Sequence, residues 1–162
     1  MAVIAFQRAS QLFTDYVLGN SGSLLPPSSW TVGLSTIAVA SMARNSILSA
    51  TVTGTNVNEI GVTANGYSRQ TIAKSIAQAG VDWGTSTFDN TAATGGQSTA
   101  ADQVTFGAFT GAGPTPNGAN SWFLSDGAGP NTGNLYFAGD LAATRTFASG
   151  DTEKVTITVK AG

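Results

Sequence analysis

This sequence predicts a mainly β chain: two antiparallel sheets stacked as a jelly-roll-like sandwich, with a short N-terminal helix. Three observations point that way. Short runs with apolar residues at every second position recur along the chain, the period of a strand with one dry and one wet face. Connections rich in Gly, Pro and Asn separate these runs, and the 162 residues include 20 glycines and 5 prolines. Only one stretch, near the start, has amphipathic helical spacing. Seven or eight short strands with one helix fit a two-sheet sandwich, and a barrel would share that tally. No repeat of a solenoid or propeller is visible.

Taken in order, residues 1–20 read as an N-terminal arm and 21–162 as a single sandwich domain. Within the arm, Ile4 to Leu18 has Phe6, Ser10, Phe13 and Val17 on one face, and Gly19-Asn20 is a helix stop. Such a helix either packs on the sheet or docks on a neighbouring chain. Pro26-Pro27 then breaks regular structure. Trp30, Val32 and Leu34 alternate as a strand, and Ile37 to Ala50 reads as an excursion with one helical turn. Thr51 to Gly54 could form a short strand. Asn58 to Gly61 is an irregular approach to a strand that starts at Tyr67. Asn90 to Asp102, rich in Thr, Gly and Ala, reads as a surface connection between strands. Val104, Phe106 and Ala108 mark the next strand, Gly111 to Asn120 a loop, Ser121 to Ser125 another strand, and Asp126 to Gly133 a hairpin connection. From Asn134 onward, Leu135-Tyr136-Phe137 and Val155 to Lys160 read as strands of a closing hairpin module. Gly150-Asp151 supplies its turn.

Composition excludes several function classes. The net charge is −2 and only 10% of residues are charged, far below the usual ~25%. The seven cations are scattered, whereas nucleic-acid binding needs them clustered. No apolar run approaches a membrane span, and the first residues lack the pattern of a secretory signal. Neither nucleic acid nor membrane is therefore an expected partner. Cys and His are absent, which removes thiolate chemistry, disulfides and a histidine proton shuttle. A surface so poor in charge favours association with other subunits.

No stretch carries a catalytic pattern, and no cofactor is implied. Gly111-Ala112-Gly113-Pro114 and Gly127-Ala128-Gly129-Pro130 lack the Gly-Lys-Ser/Thr ending of a phosphate loop, and proline removes an amide that such a loop uses. The aspartates sit at strand ends and turns, where they satisfy local amides. The Asp ladder of a calcium loop is missing around Asp126-Gly127. Ser and Thr are plentiful but have no histidine base. Trp30, Trp83 and Trp122 either anchor the core or line a sugar-binding surface. Arg69 either pairs with a carboxylate across subunits or extends to water.

Three sets of residues together resemble a family of small virion proteins of tailed bacteriophages. The first is Leu18 to Leu34 (LGNSGSLLPPSSWTVGL). The second is Asn58-Glu59-Ile60 followed by Gly66-Tyr67-Ser68-Arg69-Gln70. The third is the order Val104-Thr105-Phe106, Trp122 to Asp126, Gly133 to Phe137 and Gly150-Asp151. The resemblance spans about 140 residues through short patterns. Two departures stand out: the excursion from Ile37 to Thr55 is long, and the segment after Gly150-Asp151 is short.

The resemblance implies a non-enzymatic capsid decoration (cement) protein. It would form a trimer on the outer surface of the virion head and contact the major capsid protein. A tail-fibre or adhesin module that binds host glycan is the alternative. The Tyr-x-Arg-Gln segment and the Gly-Asp turn are structural in such proteins. Phe6 and Phe13 on the arm, Arg44 in the excursion and Arg69 are the candidate partner contacts.

Overall fold

A computed structural model of the chain describes residues 3–5, 9, 12, 27, 29–42, 57–60, 66–73, 83, 87–89, 96–101, 103–111, 118–129 and 132–161. The protein is mainly β. Among the described residues there are ten strands: β1 (Val3–Ala5), β2 (Ser29–Ser35), β3 (Gln70–Ala73), β4 (Thr87–Asp89), β5 (Gly96–Ala100), β6 (Val104–Phe106), β7 (Ala119–Ser125), β8 (Leu135–Arg145), β9 (Glu153–Val155) and β10 (Thr158–Ala161). A single 3₁₀ turn spans Val39–Ser41, within the excursion for which one helical turn was expected. Of the predicted helix over 4–18, Ile4 and Ala5 belong to β1. The rest is described only at Ala9 and Leu12, so no N-terminal helix is shown. The short strand expected at 51–54 lies outside the described residues.

All pairings between the described strands are antiparallel. The largest sheet has the order β1-β8-β7-β2-β3; β10-β5-β4 and β6-β9 form two smaller sheets. The β7–β8 hairpin is at the centre of the largest sheet. It is closed by the predicted connection at 126–133, where Asp126 N donates to Asn134 O at 3.3 Å. The alternation read from Trp30, Val32 and Leu34 holds: these residues face the main core cluster, with Leu124 and Trp122 from β7 on the same side. That cluster also takes in Val104 and Phe106 of β6, Val155 of β9, Ile157, Phe109 and Phe147. The opposite face carries a smaller cluster of Phe123, Leu135, Ala138, Val39, Met42 and Val57.

β7 sets the packing on both faces. Its consecutive aromatics lean to opposite sides and each meets a glycine in register. Trp122 pairs with Gly139 of β8, and Phe123 pairs with Gly33 of β2. A Cβ on Gly139 would come within 2.5 Å of Trp122 Cζ2, and one on Gly33 would come closer still to Phe123 Cζ. These glycines are the space into which the two rings close.

Two expectations are corrected. Gly96 to Ala100 is a strand within the supposed surface connection 90–102, paired with β4 on one side and β10 on the other. Its sequence, Gly-Gln-Ser-Thr-Ala, shows no apolar alternation, so its strand state comes from its neighbours. The run Val155 to Lys160 is also two strands, not one. β9 pairs with β6, and β10 pairs with β5. Burial nevertheless alternates through it, with Val155 and Ile157 buried and Thr156 and Thr158 exposed. The chain keeps its inward face while moving from one sheet to another. The end of the chain is therefore not a closing hairpin, although the Gly150-Asp151 turn forms as expected. Gly150 has φ +93°, Asp151 N donates to Ala148 O at 3.1 Å, and Ala148 N donates to Asp151 Oδ2 at 2.7 Å.

Candidate functional site

Of the four candidate contact residues, Phe6, Phe13 and Arg44 lie outside the described residues. Arg69 is described, and it neither reaches water nor remains available to a neighbouring subunit. Its side chain is 1% exposed and faces Glu59, whose side chain is 4% exposed. The pairing is bidentate: Arg69 Nε donates to Glu59 Oε1 at 2.8 Å and Nη2 to Oε2 at 2.7 Å. Nη1 donates to the carbonyls of Gly127 at 2.7 Å and Thr132 at 3.0 Å. The guanidinium carbon lies 5.2 Å from the centre of the Phe123 ring. A buried charge is tolerated only when its hydrogen-bonding capacity is used in this way.

The network continues through Tyr67. Its hydroxyl donates to Glu59 Oε1 at 3.0 Å and accepts from Leu34 N at 2.8 Å, while its ring stacks on Phe106. Burial pushes the phenol well above its usual pKa, and the neighbouring Glu59 charge raises it further. The Thr31 hydroxyl lies 2.7 Å from the Gly127 carbonyl and 3.1 Å from that of Ser125. Asp126 completes the corner, accepting from Asn134 Nδ2 and from the Tyr136 hydroxyl, both at 2.9 Å. Three separate segments (57–60, 67–69 and the 126–134 connection) are thereby joined. The chemistry is that of a staple. Every carboxylate oxygen of Glu59 is engaged, and the arrangement presents no free base or nucleophile.

Of the other described aspartates with placed side chains, Asp151 satisfies a local turn amide as expected, whereas Asp140 lies within β8 and not at a strand end or turn, and it meets an amide distant in the chain. Asp140 accepts from Val39 N at 2.9 Å and Asp151 from Ala148 N. Among the described residues there is no group of three side chains able to hold a metal ion, and no helix is long and apolar enough to cross a membrane.

The three tryptophans divide. Trp122 is core, 1% exposed. Trp30 and Trp83 line an apolar cleft of about 260 Å³ with Leu124, Phe137 and Val159. Trp30 also meets Tyr136 edge-on at 4.8 Å. Apart from the indole N–H groups, no lining side chain can form a hydrogen bond, and Trp83 Nε1 is buried without a partner. A second cleft of about 200 Å³ lies between the end of β8 and β9, floored by Trp122 and flanked by Arg145, Glu153 and Lys154. Arg145 Nε donates to Glu153 Oε2 at 3.0 Å, which leaves the Arg145 side chain 55% exposed. Sequence reasoning missed both clefts, because each is assembled from strands distant in the chain.

No protein-family model matches this chain, and no curated protein is significantly similar to it.

Proposed function

We propose that this chain is a non-enzymatic structural protein of a tailed-phage virion. In the specific form, it is a capsid decoration protein that binds the outside of the major capsid shell as a trimer and stabilises the head. The observation that carries this reading is the convergence of the residues behind the resemblance. Glu59, Tyr67 and Arg69 are near one another in sequence, and they meet the distant 126–134 connection in one satisfied, buried network. The motif residues make the scaffold, which leaves partner binding to loops and surface.

The jelly-roll-like sandwich belongs to this proposal too. It is supported by a core cluster that draws on the largest sheet together with β6, β9 and Ile157. A surface with few charges suits adhesion through many small polar and apolar contacts. The mechanical role is to bridge neighbouring shell subunits against the outward pressure of packaged DNA.

The test is quantitative protein analysis of purified particles. A decoration protein is present in hundreds of copies and on the head by immunogold labelling; a few dozen copies or fewer, or label on the tail, overturns the reading. The glycan-binding alternative draws on the Trp30–Trp83 cleft. Its lining is nearly devoid of hydrogen-bonding groups, which sugars need alongside aromatic stacking. Glycan-array binding by the isolated protein would reverse that preference.

A further inference from the structure

We infer that the first strand is exchanged between copies: β1 of one protomer completes the β8 edge of another, which links the protomers. This rests on the self-associating part of the proposed function and adds the means by which the copies are held.

Three observations carry it. Among the described residues β1 has a single neighbour in its sheet, β8, through the register Val3↔Gly139, Ile4↔Ala138 and Ala5↔Phe137, and takes part in no other ladder. In the sheet order, β8 and β7 separate β1 from β2, the next strand along the chain. Among the described residues β1 has no direct ladder with β2, and β8 alone connects it to the rest of the sheet. Residues 6–28 join β1 to β2 and span up to about 75 Å when extended. Two copies of a domain this size sit with centres roughly 40 Å apart, so the strand reaches a neighbour with length to spare.

The third observation is the β8 edge itself. From Phe137 to Thr144 it contains neither lysine nor proline, the residues that normally protect an open edge from pairing with another chain. Its one charge in that run, Asp140, is occupied by Val39 N. Residues Ala142 to Arg145 are exposed. Among the described residues β1 alone covers this edge, at Phe137 to Gly139, and an identical β1 from a second copy covers it with the same register and hydrogen bonds. Exchange of an identical element is a low-cost route to oligomers, because no new complementarity has to be built. The low charge of the chain lets copies approach.

Because the protein contains no cysteine, the pairing can be trapped without interference. Ile4→Cys with Ala138→Cys places two thiols on directly opposed residues, within disulfide range for an antiparallel pair. The full-length double variant is oxidised, then run on a non-reducing denaturing gel beside light scattering of the native sample. Exchange gives covalently linked oligomers of the same mass as the native assembly. A covalently closed monomer inside an intact native oligomer overturns exchange and leaves self-association standing. A monomeric native sample overturns both, and failure of any disulfide to form refutes the β1–β8 pairing on which exchange depends. A second measurement covers misfolding of the double variant. A cysteine-free chain lacking residues 1–5 is expected to shift from oligomer to folded monomer, and an unchanged oligomer mass contradicts the inference.

Discussion

Arg69 shows how much one residue can reorganise. On the sequence it is one of seven scattered cations, but in the fold it is the hub that joins residues 57–60, 67–69 and 126–134. Arg69→Ala would leave Glu59 buried without its partner, which is expected to cost about 3–5 kcal/mol. Urea unfolding at neutral pH measures it, and a loss below about 1 kcal/mol would show that the network is not a staple. Tyr67 adds a pH signature. Its folded pKa lies above the usual phenol value because of burial and the Glu59 charge. From about pH 10 the unfolded chain releases this proton while the folded chain retains it. The Tyr67 contribution is therefore complete below that pH and is lost as pH rises toward the folded pKa. The melting temperature should fall more steeply above pH 10 in the native protein than in Tyr67→Phe; parallel curves would contradict the assignment. The resemblance marked the segment with Tyr67 and Arg69 as structural, although Arg69 also stood as a candidate partner contact. Their contact with Glu59 was not legible, because residue spacing does not report which loops meet.

At the scale of elements, β7 sets the constraints. Gly139→Ala would force a methyl group against Trp122, and overpacking of this kind is expected to cost about 1–3 kcal/mol. Gly107→Ala is the control, since nothing lies within 4 Å of a Cβ there. Thermal melts of the two variants decide the point, and equal melting temperatures would argue against the ring-on-glycine packing. The run from β9 to β10 gives a second pair. Ile157 is fully buried whereas Thr158 is exposed. Ile157→Asp places an uncompensated charge in the core and is expected to abolish soluble folded protein, while Thr158→Asp expresses and melts close to the native protein. The faces of this run were legible from its alternation. Its division between two sheets was not, because the inward face persists whichever partner strand lies alongside.

For the whole molecule, the scarcity of charge makes a claim about assembly. With 10% of residues charged, and one of the two ion pairs between described residues buried inside the chain, contacts between copies cannot rest mainly on surface ion pairs. Such contacts weaken as salt shortens the screening length from about 10 Å at 0.1 M to about 3 Å at 1 M. The oligomer mass by light scattering should therefore hold across that range. Dissociation at high salt would place the few charges, Arg145 among the exposed ones, at the interface instead.

The sequence by itself determined the mainly β class, the strands at Trp30–Leu34, Val104–Phe106 and Ser121–Ser125, the turn at Gly150-Asp151 and the buried face of the final run. Each is written locally, in period-two apolar spacing or in the backbone preferences of Gly and Asp. Tertiary structure alone decided that Gly96 to Ala100 is a strand, that Arg69 closes on Glu59, that Trp122 and Phe123 lie over glycines, and that Trp30 and Trp83 share a cleft. A polar five-residue segment gains its ladder from β4 and β10, and a buried charge is stable only where a carboxylate and the carbonyls of a distant connection arrive to meet it.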